Sequence, residues 1–388
     1  MNKLAQRVKD IEPSSTLAIT ARAKKMRQEG LDVISFAAGE PDFDTPQYIK
    51  DAAIKALAEG FTKYTPSSGI PELKKAIQKK FKLDNSLDYE PEQIIVSCGA
   101  KHSLFNIIQV LVDKNAEVLI PSPYWVSYLE MVKFAQGKAV ILKTDSRNSF
   151  KLNAEILSKN ITKKTKLLIL NSPSNPAGCV YKREELDDIA QICVKNKLWV
   201  LSDEIYEKLI YENNKHISIA TLNNDIYKLT FVVNGVSKAY SMTGWRIGYL
   251  AGDKEAVEAT ARLQDHSTSN PCSISQKAAL AALSSDNGFI DKMRLEFEER
   301  RNLMLSELDK IGLDYIKPEG AFYVFLDISK AKIGSWEFCD KFLAEKYVAV
   351  IPGAAFGNDN YVRFSFAASM PEIKKGLERL REFISSPR

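Results

Sequence analysis

Seven short apolar runs, unbroken rather than alternating, limit what this chain can become. They are Ile94-Ile95-Val96, Val118-Leu119-Ile120, Val140-Ile141-Leu142, Leu167-Leu168-Ile169-Leu170, Trp199-Val200-Leu201, Phe231-Val232-Val233 and Gly248-Tyr249-Leu250. A strand with one face in water alternates apolar and polar residues, whereas a continuous β-branched run reads as a strand covered on both faces. Helical patterns lie between many of the runs, as in Lys101 to Asp113 and Arg183 to Asn196. Alternation of this kind predicts an α/β fold in which a mostly parallel, seven-stranded sheet lies between helices. Ligands of such sheets bind beyond the carboxyl ends of the strands, so the loops after the runs are where chemistry is expected.

The C-terminal part reads differently. Asp286 to Gly312 has the pattern of one long amphipathic helix. Phe322 to Leu326, Val348 to Ile351 and Val362 to Ser365 read as strands of a second, smaller αβ unit, and a helix from Pro371 to Phe383 closes it. Residues 1–45 have no place in the central sheet and are expected on the smaller unit or on a partner subunit. The predicted organisation is a large domain over 46–285 and a small domain built from 1–45 and 286–388.

Five of the loops carry unusual residues. After the run at 231–233 comes Ser237-Lys238, with Arg246 eight positions beyond the lysine. A lysine can form a Schiff base with an aldehyde, and an arginine can hold a phosphate through a planar, bidentate contact. Together they suit an aldehyde cofactor that carries a phosphate. Ser97-Cys98-Gly99-Ala100-Lys101 opens a helix with small residues, which leaves backbone N–H groups free for a phosphate; an ordinary tight turn is the alternative. In Pro121-Ser122-Pro123-Tyr124-Trp125, Trp125 is placed either to stack on a flat heteroaromatic ring or to pack in the core. Asn175, in Asn171-Ser172-Pro173-Ser174-Asn175-Pro176, can donate to a phenolic oxygen, although Asn-Pro also starts plain turns. Asp203, at the end of a buried run, costs energy unless paired. A protonated ring nitrogen would satisfy it, and so would an N-cap role.

Bulk properties exclude other classes. The formal charge of +5 is small for 388 residues, and basic and acidic residues are interspersed, so no nucleic-acid stripe or polybasic anchor emerges. Five scattered cysteines without a Cys-x-x-Cys pair indicate a reducing compartment, and a cytoplasmic protein is expected. The three histidines, His102, His216 and His266, show no metal-ligand spacing, and no metal is expected. No apolar run approaches a membrane span, and residues 1–7 lack a signal-peptide core.

With these residues in view, the chain resembles the class I/II aminotransferases, which are fold-type I pyridoxal-phosphate-dependent transferases. The likeness runs from Ala38-Gly39-Glu40-Pro41-Asp42-Phe43 through Tyr64-Thr65-Pro66-Ser67-Ser68-Gly69 to Arg363. It is strongest to the bacterial aspartate aminotransferase branch, whose Pro-Ser-Pro-Tyr-Trp-Val-Ser-Tyr and Thr-Gly-Trp-Arg-Ile-Gly-Tyr stand intact at 121–128 and 243–249. The resemblance implies that Lys238 carries pyridoxal 5'-phosphate and shuttles the proton. It implies that Asp203 pairs with the ring nitrogen, that Asn175 and Tyr206 meet the phenolic oxygen, and that Trp125 stacks on the ring. Gly99, Ala100, Lys101, Ser237 and Arg246 match the phosphate side. Tyr64 would reach the phosphate of a neighbouring subunit, which implies a homodimer with shared sites. Arg363 would clamp the substrate α-carboxylate, with the Gly39 backbone beside it and Trp125 and Asn175 also facing the substrate.

The implied reaction is transfer of the amino group of L-aspartate to 2-oxoglutarate by a ping-pong mechanism. A dicarboxylate needs a second cation, and the resemblance assigns Lys101 to the distal carboxylate. Relatives that also use prephenate often carry a lysine before the N-terminal Pro-Ser, where this chain has Glu12 before Pro13-Ser14. An aromatic or broad-range aminotransferase is the alternative within the same chemistry, and a pyridoxal-phosphate C–S lyase is one on the same fold. A regulator fused to a DNA-binding domain is disfavoured, because no helix-turn-helix precedes the fold.

Overall fold

The computed structural model describes residues 5–9, 11–13, 15–286 and 288–385. Each of the seven apolar runs becomes a strand of one sheet: β1 (Ile94–Ser97), β2 (Glu117–Ser122), β3 (Lys138–Lys143), β4 (Thr165–Asn171), β5 (Trp199–Asp203), β6 (Thr230–Gly235) and β7 (Gly248–Ala251). Their spatial order is β1-β7-β6-β5-β4-β2-β3. All pairings are parallel except the two made by β7, which runs antiparallel to β1 and β6. The unbroken apolar character has the expected cause. Ile94, Val96 and Val232 face one buried cluster, while Ile95, Phe231 and Val233 face another. Each such side chain contributes about 1.5–3 kcal/mol by leaving water.

Among the helices are α1 (Ser15–Gln28), α2 (Ala100–Leu111), α3 (Lys254–Asp265), α4 (Ser273–Ser284) and α5 (Gly288–Ile311). Gly288–Ile311 answers to the long helix expected from Asp286 to Gly312. The C-terminal strands form a separate four-stranded antiparallel sheet, in which Tyr323–Asp327 lies between Tyr315–Ile316 and Tyr361–Ser365. Met370–Ser385 is the closing helix.

One expectation fails in a specific way. Val348 to Ile351 is not one strand. Val348–Ala349 pairs in parallel with Ile34–Ser35, whereas Ile351–Pro352 pairs with Tyr361–Ser365 in the antiparallel sheet. The run is continuously apolar because both stretches are buried, and burial does not say which neighbour a strand has. The same pairing takes Ile34 and Ser35 outside the central sheet. Ile34–Ser35 joins the C-terminal unit, and α1 is tied to it by an Arg22–Asp340 ion pair of 2.6 Å. Among the described residues, no helix is long and apolar enough to cross a membrane.

Candidate active site

Parallel strands deliver their carboxyl ends to one edge of the sheet. In register, Asn171 of β4 lies beside Asp203 of β5. Gly248 pairs with both Gly235 and Ser97, so antiparallel β7 starts at that same edge. Arg246, just before β7, therefore arrives where β1, β4, β5 and β6 end. At this edge is a cavity of about 410 Å³, within the size range of small-molecule sites. Every predicted site residue lines it except Gly99 and Tyr64.

Lys238 is partly buried, and its Nζ donates to the Gly39 carbonyl at 2.5 Å. Burial pushes its amine down to about 8, and the Arg246 and Arg363 charges add to that effect. Asp203 is buried at the end of β5. Burial pushes its carboxyl up to about 6, against a 2.6 Å hydrogen bond donated by Tyr128 and a 3.3 Å bond from the Ile205 amide. Each of these groups is thus biased toward its neutral form by removal from water.

The residues expected on the phosphate side gather at this edge. Gly99 has φ 89°, and a Cβ there would collide with the Arg246 guanidinium, so the loop needs glycine on both counts. Arg246 itself has φ 56°, a conformation that costs a non-glycine residue on the order of 1–3 kcal/mol. It is held by bonds from Nη1 to the Thr243 carbonyl at 2.9 Å and from Nη2 to the Cys98 carbonyl at 3.3 Å. Ala100 and Lys101 begin α2, where the first N–H groups have no intrahelical acceptor. Ser237 is buried beside them on the cavity wall.

Opposite stands Arg363, on the strand Tyr361–Ser365. It is buried, with Nη1 donating to Asn175 Oδ1 and Nη2 to the Ala37 carbonyl, both at 2.9 Å. Its Nε is buried with no hydrogen-bond partner among the described residues. The Tyr323 ring lies 4.3 Å from the guanidinium carbon, and Tyr323 Oη is 2.9 Å from Tyr206 Oη. Trp125 is partly buried with its edge against Tyr128, and Lys101 Nζ sits 4.9 Å from the Trp125 ring. Burial lowers the Lys101 amine from its usual value, as does the nearby Arg246 charge.

Tyr64 lies outside this assembly, 92% exposed. Tyr323 is on the cavity wall but was not foreseen, because a tyrosine inside an apolar strand run reads as core. Glu40 and Thr243, joined by a 2.6 Å bond from Thr243 Oγ1 to Glu40 Oε2, also line the cavity. Both stand inside motifs singled out in the sequence, where nothing assigns either one a role. His216, whose spacing offered no metal set, lies beside Glu204 and Glu207. Lys80 pairs with Glu207 there, so an ammonium already stands against that carboxylate.

The donor set fits pyridoxal 5'-phosphate. A helix start, Ser237 and Arg246 can hold the phosphate, and Asp203 can hold a protonated ring nitrogen. Lys238 supplies the amine for the aldehyde, and the unpartnered Arg363 Nε leaves a buried donor for a carboxylate.

The family described as aminotransferase class I and II matches residues 31–380. The chain is 50% identical to an aspartate aminotransferase of Bacillus sp. (strain YM-2), over 98% of this chain and 99% of that one. It is 47% identical to an aspartate aminotransferase of Bacillus subtilis (strain 168), over 98% and 99%. A solved structure of aspartate aminotransferase from Thermus thermophilus with maleate superimposes with a TM-score of 0.96 at 42% identity, covering 98% of this chain and 100% of that one. Probable aspartate/prephenate aminotransferases are also similar, as in Aquifex aeolicus (strain VF5) at 46% identity, over 98% of each chain.

Proposed function

The chain belongs to the class I and II aminotransferases, and from that premise we propose that it moves the amino group of L-aspartate to 2-oxoglutarate. The products are oxaloacetate and L-glutamate, made in two half-reactions at one site. Bound pyridoxal phosphate supplies an aldehyde that accepts the amino group and a ring that withdraws electrons from Cα.

The protein residues do the rest. Ala100, Ser237 and Arg246 bind the phosphate and fix the cofactor's position. Asp203 holds a proton on the ring nitrogen, which relieves the cost of its own buried charge. Lys238 Nζ, its amine lowered by burial, would take the proton from the substrate Cα and hand it to the carbon that was the cofactor's aldehyde. Arg363 orients the α-carboxylate, and Lys101 takes the distal one. Tyr206, steadied by Tyr323, and Asn175 orient the phenolic oxygen. The observation that carries this reading is the placement of Lys238, Asp203 and Arg363 on one cavity. Maleate, the dicarboxylate that accompanies the similar Thermus enzyme, supports the substrate class.

The working unit is a homodimer in which Tyr64 of each chain meets the cofactor phosphate of the other. Its 92% exposure supports this, since the ring gains no burial within its own chain. Five cysteines, all free, support a cytoplasmic setting. An absorbance spectrum taken before and after adding L-aspartate alone tests the function. The yellow absorbance of bound cofactor gives way to that of the amine form. A yellow protein unmoved by aspartate but converted by an aromatic amino acid would replace the substrate, and a colourless protein after added cofactor would end the reading.

A further inference from the structure

The loop Tyr64–Ile70 carries an exposed aromatic, yet its backbone is held to the core at several points. Two fully buried amides hold it. Gln276, on α4, accepts from the Ile70 amide at 2.8 Å and donates to Thr65 Oγ1 at 3.0 Å and to the Pro271 carbonyl at 2.9 Å. Gln264, on α3, donates to the Ser67 carbonyl at 2.7 Å and to the Val96 carbonyl at 2.8 Å. The Val96 amide completes the seam by donating to the Ser68 carbonyl at 2.9 Å. Gly69, at φ 105°, lies so close to β1 that a Cβ would come within 2.6 Å of Val96 Cγ2.

Ordering a loop costs about 1–2 kcal/mol per residue, and burying an amide adds a cost unless every donor and acceptor is satisfied. Both costs are met here, while the loop's largest side chain gains no burial in its own chain. The Gln264 carbonyl also accepts from Ser97 Oγ at 2.7 Å and from Asn106 Nδ2 at 3.2 Å. Ser97 precedes the Gly99-Ala100 cradle and Asn106 lies on the helix that cradle starts. One amide therefore joins the chain's own phosphate cradle to the loop that carries Tyr64 outward.

We infer that Gln264 and Gln276 are positioning residues that present Tyr64 to the site of a neighbouring chain. The inference rests on the homodimer proposed above. They act in trans, on cofactor retention, through the loop rather than by touching the cofactor.

Two heterodimers separate this role from a general effect on folding. In the first, a Lys238→Ala chain is paired with a Gln276→Leu chain. Its single intact Lys238 receives Tyr64 from the chain with native Gln276. In the second, a Lys238→Ala/Gln276→Leu chain is paired with an unsubstituted one. Its intact Lys238 receives Tyr64 from the altered chain. Pyridoxal phosphate retained by the Lys238-bearing site is measured after serial dialysis. Loss of one hydrogen bond to a charged group predicts roughly tenfold weaker retention in the second pair, with the first pair matching a Lys238→Ala/unsubstituted control. Equal retention in the two pairs, or weaker retention in the first, overturns the inference. If Gln276→Leu does not assemble, Gln276→Glu replaces it, keeping the acceptor for Ile70 and losing both donors. Gln264→Met, which also cuts the bonds to its own chain's Ser97 and Asn106, enters the second pairing only, where the intact site keeps its native cradle; undiminished retention there removes Gln264 from the role. Sedimentation of the unsubstituted protein is read separately, and a monomer would remove the dimer on which the inference rests.

Discussion

Tyr128 donates a 2.6 Å hydrogen bond to Asp203, and both residues are buried. This bond opposes the burial that raises the Asp203 carboxyl from 3.8 to about 6. Because the folded-state value is raised, the ionised carboxylate destabilises the cofactor-free fold. That penalty is full above pH 6, fades as the pH falls from 6 toward 3.8, and is absent below. Asp203→Asn is therefore expected to stabilise the cofactor-free protein at pH 8 by on the order of 1–3 kcal/mol, with the gain gone below pH 3.8. The same variant should lower turnover on the order of 10²-fold, since it no longer carries the charge that holds a proton on the ring nitrogen. Thermal unfolding at the two pH values and steady-state kinetics check both halves.

Lys238 obeys the opposite sign. Burial lowers its amine from 10.5 to about 8, so the charged form is disfavoured in the fold. The penalty applies in full below pH 8 and vanishes as the pH rises through 10.5. Only the neutral amine attacks an aldehyde. The rate of pyridoxal phosphate uptake by the cofactor-free protein should rise about tenfold per pH unit below 8 and level off above it. A stopped-flow series across pH 6 to 10 reads this, and a midpoint near 10.5 would mean the site does not depress the lysine.

Much of this was legible in the sequence, for a physical reason. Strands covered on both faces must be apolar at every position, so Ile94–Val96 and Leu167–Leu170 announce themselves. The residues proposed to carry chemistry follow such runs, as Lys238 and Asp203 do. What stayed hidden depends on partners distant in the chain. Tyr323 looks like core until its hydroxyl is seen beside Tyr206, 117 residues away. Gln264 and Gln276 sit in helices, where glutamine ordinarily faces water, and only the folded chain shows them buried. Ile34–Ser35 is two residues long, too short for any period to show.

Lys101 rests over Trp125 with its Nζ 4.9 Å from the ring, and the proposed reading assigns this cation to the distal carboxylate of a dicarboxylate substrate. A charge-assisted bond is worth about 1.5–3 kcal/mol. Lys101→Ala should raise KM for L-aspartate by roughly 10–100-fold while changing KM for an aromatic amino acid far less. Comparable losses for both substrates would remove Lys101 from substrate recognition and leave it a phosphate-side residue.

Lys80 and Glu207 form a buried ion pair, with side chains 8% and 5% exposed. Asn85 bridges them, accepting from Lys80 Nζ at 2.6 Å and donating to Glu207 Oε2 at 2.7 Å. Burial alone would raise the Glu207 carboxyl, but the Lys80 charge outweighs it, with help from His216, and holds the group at about 2. With the folded value depressed, the pair's stabilisation is present above pH 4.5 and is lost as the pH falls toward 2. Removing one partner leaves an uncompensated buried charge. Lys80→Met should therefore cost about 3–5 kcal/mol at pH 7, whereas Lys80→Met/Glu207→Leu should recover most of that. Since Glu207 lies one residue beyond Tyr206, the single variant should also weaken cofactor binding and the double variant should restore it. Urea unfolding at pH 7 of both variants decides the matter: a double variant no more stable than the single would show that the pair stabilises the fold beyond cancelling its own charges.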